Sequence, residues 1–166
     1  MQYGGMRRRA TAVLILAALS QGACGGSTSP TDSPTPAPAP IVAIVPEPSP
    51  AAAGPSSDPG YQWSTSFTLT LTETAGVAVS IRSLSANLQQ ASGGGVVTPP
   101  AGLAEAFRFQ VRAPANRLEA NGRMAVGMSF FYTLPQPGQE ALVTVTFTLV
   151  DDLGNLYPQA VQVRVV

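Results

Sequence analysis

Apolar and polar residues alternate with a period of two along most of the chain from Tyr61 to its end. In a β-strand successive side chains point to opposite faces, so each alternating run predicts a strand with one buried and one solvated face. The runs lie at 67–71, 77–81, 84–88, 107–111, 124–134, 143–149 and 161–165. No segment there shows the 3.6-residue spacing of an amphipathic helix. The pattern therefore predicts an all-β domain.

Turn-forming residues separate these runs. Glycine, proline, asparagine and aspartate cluster at 73–76, 92–95, 99–102, 121–122, 135–138 and 151–155. About seven short strands separated in this way are typical of immunoglobulin-like sandwiches. Residues 61–166 thus resemble bacterial immunoglobulin-like or fibronectin-like domains, and the resemblance implies an antiparallel β-sandwich. With one cysteine in the chain, its core has to hold without the disulfide of antibody domains.

Residues 1–23 have the three-part pattern of a secretory signal peptide. A cluster of three arginines precedes an apolar run at 10–19, and small residues follow it. The run is shorter than the roughly 20 residues that span a bilayer, so we expect cleavage and export. The pattern leaves open whether Met1 or Met6 is the start, since Met6 stands directly before the arginines.

The residues around Cys24 resemble the lipobox of bacterial lipoproteins, which reads aliphatic, small, small, cysteine. Gly22, Ala23 and Cys24 match this pattern, whereas Gln21 stands where leucine is usual. The resemblance implies cleavage before Cys24 and stable anchoring by several acyl chains. Because Gly25 follows instead of aspartate, it also implies an outer-membrane location in the cell envelope, facing the periplasm or the surface. The alternative is an ordinary signal peptide that leaves a soluble protein with a free thiol.

Residues 24–60 are predicted to be the anchor cysteine followed by a linker rich in proline, serine, threonine and alanine. Ten of the sixteen prolines lie here. Proline lacks an N–H group and fixes φ, so we expect a disordered tether with polyproline II character. The apolar segment IVAIV at 41–45 interrupts it, and two interpretations stay open. The segment is either a strand docked on the edge of the domain or part of the disordered linker.

Composition limits the chemistry that the chain can perform. It has no histidine and no lysine, which excludes histidine-based triads, a Ser-Lys dyad and a lysine Schiff base. It has no nucleotide-binding or zinc motif. Once the leader is removed, six arginines remain against nine acidic residues, with no basic cluster of the kind that binds nucleic acid. We expect a protein that is not an enzyme and carries no cofactor.

Three aromatic residues are candidates for contact with a ligand or partner. Tyr61 and Trp63 lie at the start of the predicted domain, and Phe131 falls on the solvent-facing register of the run at 124–134, among small residues. A bulky apolar side chain in such surroundings can mark a contact patch. Ordinary packing under a loop is the alternative.

The acidic residues are weaker candidates. Asp151, Asp152 and Asn155 gather oxygens on one turn, but calcium prefers six to eight oxygen ligands, so a plain hairpin turn is favoured over a metal site. A glycosidase would need two acids facing one sugar bond. We instead expect solvated surface carboxylates at Glu73, Glu105, Glu119 and Glu140.

These observations favour a non-catalytic, lipid-anchored protein of the cell envelope that displays a sandwich domain for binding or structural spacing. The membrane is the partner that the lipobox implies, and the sequence identifies no protein or glycan partner. One alternative is a carbohydrate-binding module, which would expose its aromatic residues in a line. Another is a subunit of an envelope assembly that pairs through a sheet edge.

Overall fold

The computed structural model describes residues 37–91, 97–134 and 140–166, which form nine β-strands and no helix. The predicted signal peptide, the lipobox and Cys24 lie outside the described residues. The strands are β1 (Val42–Glu47), β2 (Ala53–Pro55), β3 (Trp63–Glu73), β4 (Val79–Gln90), β5 (Phe107–Arg112), β6 (Arg117–Leu118), β7 (Arg123–Tyr132), β8 (Ala141–Asp151) and β9 (Leu156–Val165).

The strands form two antiparallel sheets. The first has the order β1-β3-β7-β5, with the short β2 also paired to β3, and the second has the order β6-β4-β8-β9. The prediction of an all-β, antiparallel sandwich is therefore confirmed. In an immunoglobulin-type arrangement, β1, β3, β7 and β5 occupy the places of strands A, B, E and D, while β4, β8 and β9 occupy those of C, F and G. Strands β1, β2 and β6 are additional to those that the alternating runs predicted.

The period-two alternation builds the core between the sheets. On β8 every second residue is buried, from Ala141 to Leu149, and the residues between them are half-buried. On the inner face of the first sheet, the rings of Phe67 on β3 and Phe130 on the neighbouring strand β7 stack with their centroids 5.6 Å apart. Burial of these apolar faces is the main favourable contribution to folding.

Strand β4 changes phase in its middle. The register with β8 shifts between Ile81 and Ser83, which marks a β-bulge. Before the bulge the buried position is odd-numbered, at Val79, and after it the buried position is even-numbered, at Leu88. The extra residue keeps the apolar side chains of both halves on the core side.

The sandwich begins before Tyr61, so the linker boundary predicted there is too late. Strand β1 pairs with β3 along six residues, and Val42 and Ile44 pack against the core. Of the two interpretations of the segment 41–45, the docked strand is the one observed. Its proline-rich context is tolerated because β1 is an edge strand, where a missing N–H group leaves no partner unsatisfied.

Between β1 and β2 the chain crosses to the second sheet. Ala51 is fully buried, donates its N–H to the carbonyl of Arg164 at 2.8 Å and accepts the N–H of Val166 at 2.9 Å. Ala53 then donates to the carbonyl of Val166 at 2.8 Å. These bonds cover the end of β9, and Pro158 removes a further N–H donor from this edge strand. The chain crossing thus closes part of an edge that would otherwise be open to pairing.

The two ends of the sandwich are distinguished by the strands that begin and finish there. We call the end at which β1 begins the proximal end, and it also contains the turns at 74–78 and 151–155. The opposite, distal end contains the start of β3 at Trp63 and the end of β7 at Tyr132.

Candidate functional site

A shallow groove of about 460 Å³ crosses the outer face of the first sheet. Its floor is formed by small side chains on the two central strands, and its margins carry longer polar side chains from the two outer strands. The floor residues are Ser66 and Thr68 on β3 and Gly127 and Ser129 on β7. The margins are Glu47 at the end of β1 and Gln110 and Arg112 on β5.

The strand register explains why these residues share one face. Ser66 pairs with Ser129, which pairs with Gln110 on the other side. The hydroxyl oxygens of Ser66 and Ser129 lie 2.9 Å apart and share a hydrogen bond. In the next row, Thr68 lies between Glu47 and Gly127. Directly paired residues of an antiparallel sheet point to the same side, so the floor is a patch of hydroxyl groups.

Gly127 deepens the groove because it has no side chain. A methyl group at this position would lie 3.5 Å from the carbonyl oxygen of Arg112, which is an ordinary contact. The glycine is therefore not required by close packing, and a larger residue would fill the space above the floor.

The groove carries separated charges. Glu47 and Arg112 are both exposed, and neither belongs to an ion pair within the described part of the chain. Three strand spacings separate their α-carbons, a distance of about 14 Å. The arrangement offers hydrogen-bond donors and acceptors to a polar ligand and places no second carboxylate opposite Glu47.

Phe131 lies on the same outer face as the groove, one step along β7 beyond Ser129. It is partly exposed and sits between Ser64 on β3 and Arg108 on β5. The solvent-facing register predicted for Phe131 is therefore the one observed.

Trp63 and Tyr61 do not join Phe131 in a line. Trp63 packs against the core, on the side of β3 opposite to the groove. Tyr61 lies at the distal end beside Glu105 and the ion pair of Arg108 with Asp58, whose nearest atoms are 3.3 Å apart. Burial, and then the carboxylates of Glu105 and Asp58, raise the pKa of Tyr61 above its usual value.

Comparison with known proteins identifies no family for this chain. No protein-family model matches it, and no curated protein is significantly similar. Among solved structures, a Northeast Structural Genomics Consortium target aligns with a TM-score of 0.47 at 12% identity, covering 75% of this chain and 84% of the target. A PapD-like domain of human CEP192 aligns with a TM-score of 0.44 at 18% identity, covering 85% and 94%. The GAE domain of yeast GGA1 aligns with a TM-score of 0.33 at 6% identity, covering 68% and 86%. Similarity at this level carries no argument about function.

The carboxylates of the turn at 151–155 accept hydrogen bonds from other groups of the domain. One carboxylate oxygen of Asp151 accepts the N–H groups of Leu153 and Asn155 at 2.9 and 2.8 Å, and the other accepts the amide of Asn155 and the hydroxyl of Tyr157, both at 2.9 Å. Asp152 forms a bidentate pair with Arg117 at 2.7 and 2.9 Å. The side-chain bond from Asn155 holds the pKa of Asp151 below its usual value, against burial, with help from the other three donors.

Glu73 is a further residue whose role the sequence did not reveal. It was expected to be a solvated acid, but only 1% of it is exposed. Its carboxylate accepts the N–H groups of Ala75, Gly76, Val77, Asn121 and Ile41 at 2.7, 3.0, 3.2, 2.9 and 3.4 Å. Burial alone would raise the pKa of Glu73, but these bonds together outweigh it, and the pKa lies below its usual value. Glu73 therefore links the turn at 75–77 to Ile41 and Asn121 at the proximal end.

Neither a metal cluster nor a membrane-spanning helix is found in the described part of the chain. Across 37–91, 97–134 and 140–166 no three histidine, cysteine or acidic side chains come close enough to hold a metal ion. Over the same ranges no helix is both long and apolar enough to cross a bilayer. The groove is the candidate site because of its hydroxyl floor and separated charges. Its sequence signal was the alternation of Arg108, Gln110 and Arg112 with apolar residues, facing small residues on the neighbouring strand.

Proposed function

We propose that this protein is a non-catalytic lipoprotein of the cell envelope, held by lipid on Cys24, which displays the sandwich domain for binding or structural spacing. The lipobox supports the anchor and the signal peptide supports export. Gly25 in place of aspartate supports an outer-membrane location. The groove supports binding by the outer face of the first sheet.

The arrangement of charges in the groove is the observation that supports a binding function rather than hydrolysis. Paired glycosidase carboxylates lie within about 10 Å of each other, whereas Glu47 faces Arg112 across a floor of hydroxyl groups. Among the residues that the structure describes, no other acidic side chain lines the groove. Such a surface binds polar ligands and holds no nucleophile–base pair.

The anchor is tested by the intact mass of the protein extracted from bacterial membranes. We expect a chain that starts at Cys24 and carries added acyl mass. The Cys24→Ser variant, as a matched control, should carry none and should leave the membrane fraction. A mature chain with a free thiol, or one that starts elsewhere, would refute the anchor.

Carbohydrate binding is a second candidate, favoured by the position of Phe131 beside the groove, although Trp63 and Tyr61 do not form with it the line of aromatic residues expected of such a module. A sugar ring could stack on Phe131 while its hydroxyls reach Ser129 and Gln110. We expect retention on insoluble peptidoglycan, chitin or cellulose to be lost in Phe131→Ala and in Gly127→Leu, which fills the groove. Thr146→Ala, on the outer face of the second sheet, should retain binding. Equal retention of all variants would remove the groove from consideration.

Assembly through a sheet edge is a third candidate, favoured by the free side of β5. Within the described residues, Phe107–Arg112 pairs only with β7, and Val111 on this strand is 45% exposed. An envelope partner that adds a strand here would lose co-purification with the Val111→Asp variant. Retention of that partner by the variant would exclude this edge.

A further inference from the structure

The turn at 119–122, which joins β6 to β7, restricts the residues at its last two positions. The N–H group of Gly122 donates to the carbonyl of Glu119 at 2.8 Å. A side-chain carbon at Gly122 would lie 2.7 Å from that same oxygen, so only glycine fits. Asn121 has a φ of 54°, a left-handed conformation that glycine adopts most readily and asparagine next. The turn therefore favours the pair Asn121-Gly122.

An asparagine that precedes glycine readily loses its side-chain amide, because glycine has no side chain to shield its backbone nitrogen. A bond forms between the nitrogen of Gly122 and Cγ of Asn121, and the bond from Cγ to Nδ2 breaks. Nδ2 leaves as ammonia with the proton from Gly122. Water then opens the cyclic imide at either carbonyl, which gives aspartate or isoaspartate. Asn121 is exposed to the water that this second step consumes.

The fold opposes the first step by holding the backbone around the reacting nitrogen. Besides the bond from Gly122 to Glu119, the carbonyl of Gly122 accepts the N–H of Glu73 at 3.0 Å. The N–H of Asn121 donates to the carboxylate of Glu73 at 2.9 Å. Ring closure requires the peptide group between Asn121 and Gly122 to rotate toward Cγ, and these bonds resist that rotation. The reaction therefore proceeds from the locally opened turn, whose population the bonds determine.

We propose that Asn121 is a modification site, converted to aspartate or isoaspartate at a rate limited by the hydrogen bonds of Glu73. This inference goes beyond the proposed function and depends on neither the lipid anchor nor the groove. The site belongs to the proximal end, where the same carboxylate also accepts the N–H of Ile41, directly before β1.

The modification weakens the cluster that restrains it. The side-chain nitrogen of Asn121 lies close to the turn that follows Glu73, since a methyl group at Gly76 would be 3.6 Å from it. A carboxylate in its place puts a like charge near the buried carboxylate of Glu73, which disfavours the ionised form that the five N–H groups require. Isoaspartate also lengthens the main chain by one carbon. Conversion of Asn121 thus loosens the proximal end irreversibly.

The site is tested on the chain 24–166, incubated at neutral pH with and without unfolding concentrations of urea. Peptide mass and the separate elution of isoaspartate measure the conversion of Asn121. We expect conversion to be about 10- to 1,000-fold slower in the folded chain, because only the opened fraction reacts. Asn87 and Asn155, each followed by leucine, are internal references that should convert slowly in both states. Equal rates in both states would overturn the protection, and no conversion in urea would overturn the site.

The role of Glu73 is tested by Glu73→Gln under folding conditions. We expect conversion of Asn121 to become about tenfold faster, the usual order of effect when hydrogen bonds to a charged group are lost. The matched control is Val143→Ala, which removes fully buried methyl groups near the distal end and should change the rate little. Equal acceleration in both variants would show that global unfolding limits the reaction, and would overturn the role of Glu73. Glu73→Asp, whose shorter carboxylate reaches fewer donors, replaces Glu73→Gln if that variant fails to fold.

The consequence of modification is tested by Asn121→Asp, which supplies one of the two products directly. We expect its unfolding midpoint in urea to fall below that of the natural chain. Asn87→Asp, at an exposed position of β4, adds the same charge away from Glu73 and should leave the midpoint unchanged. A midpoint for Asn121→Asp equal to that of the natural chain would overturn the loosening of the proximal end.

Discussion

At the scale of single residues, Glu73 shows how one buried carboxylate organises the proximal end of the sandwich. Its five N–H donors come from the turn that follows it and from Ile41 and Asn121, which lie 32 and 48 residues away in sequence. A hydrogen bond to a charged group contributes more than one between neutral groups. The sequence could not reveal this role, because two of the donors are brought to Glu73 only by the fold.

We expect Glu73→Gln to lower the free energy of unfolding at pH 7 by about 1–3 kcal/mol, because the amide's NH₂ faces donors that the carboxylate had satisfied. The folded-state pKa of Glu73 is lowered, so its contribution is present above the unfolded pKa and is lost as the pH falls through the folded pKa. The difference between wild type and variant should therefore shrink in urea titrations repeated below pH 4.5, the usual value. The control is Glu119→Gln, whose side chain is 73% exposed. A difference that is as large at acid pH would contradict this account.

The groove combines one feature that the sequence predicted with another that the sequence could not predict. The register of Phe131 was visible in the alternation of its run, and the structure agrees. The pairing that sets Gly127 beside Thr68 and Arg112 depends on strand order, which periodicity does not encode. Trp63 was a candidate contact residue with ordinary packing as the alternative, because the pattern there was too short to assign a face, and it packs against the core.

At the scale of elements, the long strands were predictable and the short ones were not. Strands β3, β7 and β8 have ten or eleven residues, and the alternating runs at 67–71, 124–134 and 143–149 were long enough to show a period of two. Strands β2 and β6 have three and two residues and show no period. Strand β1 was ambiguous because the five apolar residues at 41–45 lie within a proline-rich segment, whose local preference opposes a strand while tertiary packing favours it.

The role of β1 is tested by a matched pair of substitutions on neighbouring residues. Ile44 packs against the core, whereas Val45 is 59% exposed. We expect Ile44→Ala to destabilise the domain by about 1–3 kcal/mol, less than a fully buried isoleucine would, and Val45→Ala to have little effect, as measured by urea unfolding. If both variants unfold like wild type, the segment does not contribute to the sandwich.

At the scale of the whole molecule, the sandwich includes residues before Tyr61 that the sequence analysis assigned to the linker. The ordered unit begins about twenty residues earlier than the composition suggests, because β1, Ala51 and β2 cover the edges of β3 and β9. These residues therefore belong to the folded domain rather than to the linker predicted for 24–60.

We expect the chain 37–166 to unfold in a single cooperative urea transition and the chain 61–166 to lose that transition or shift it to much lower urea. Removing 37–60 deletes the partner of β3 along six residues and uncovers the end of β9, which leaves unpaired edges. Circular dichroism and limited proteolysis would follow both chains. Matching midpoints would mean that the domain starts at Tyr61 after all.

The antiparallel pairing of β1 with β3 also decides how the domain bears mechanical load. Ile41 directly precedes β1, which runs from the proximal toward the distal end. A pull on the chain before Ile41, directed along the strand, slides β1 against β3, so that all the inter-strand bonds resist at once instead of opening one after another. A force applied there would thus load the strand pair in shear, the direction in which it is hardest to separate.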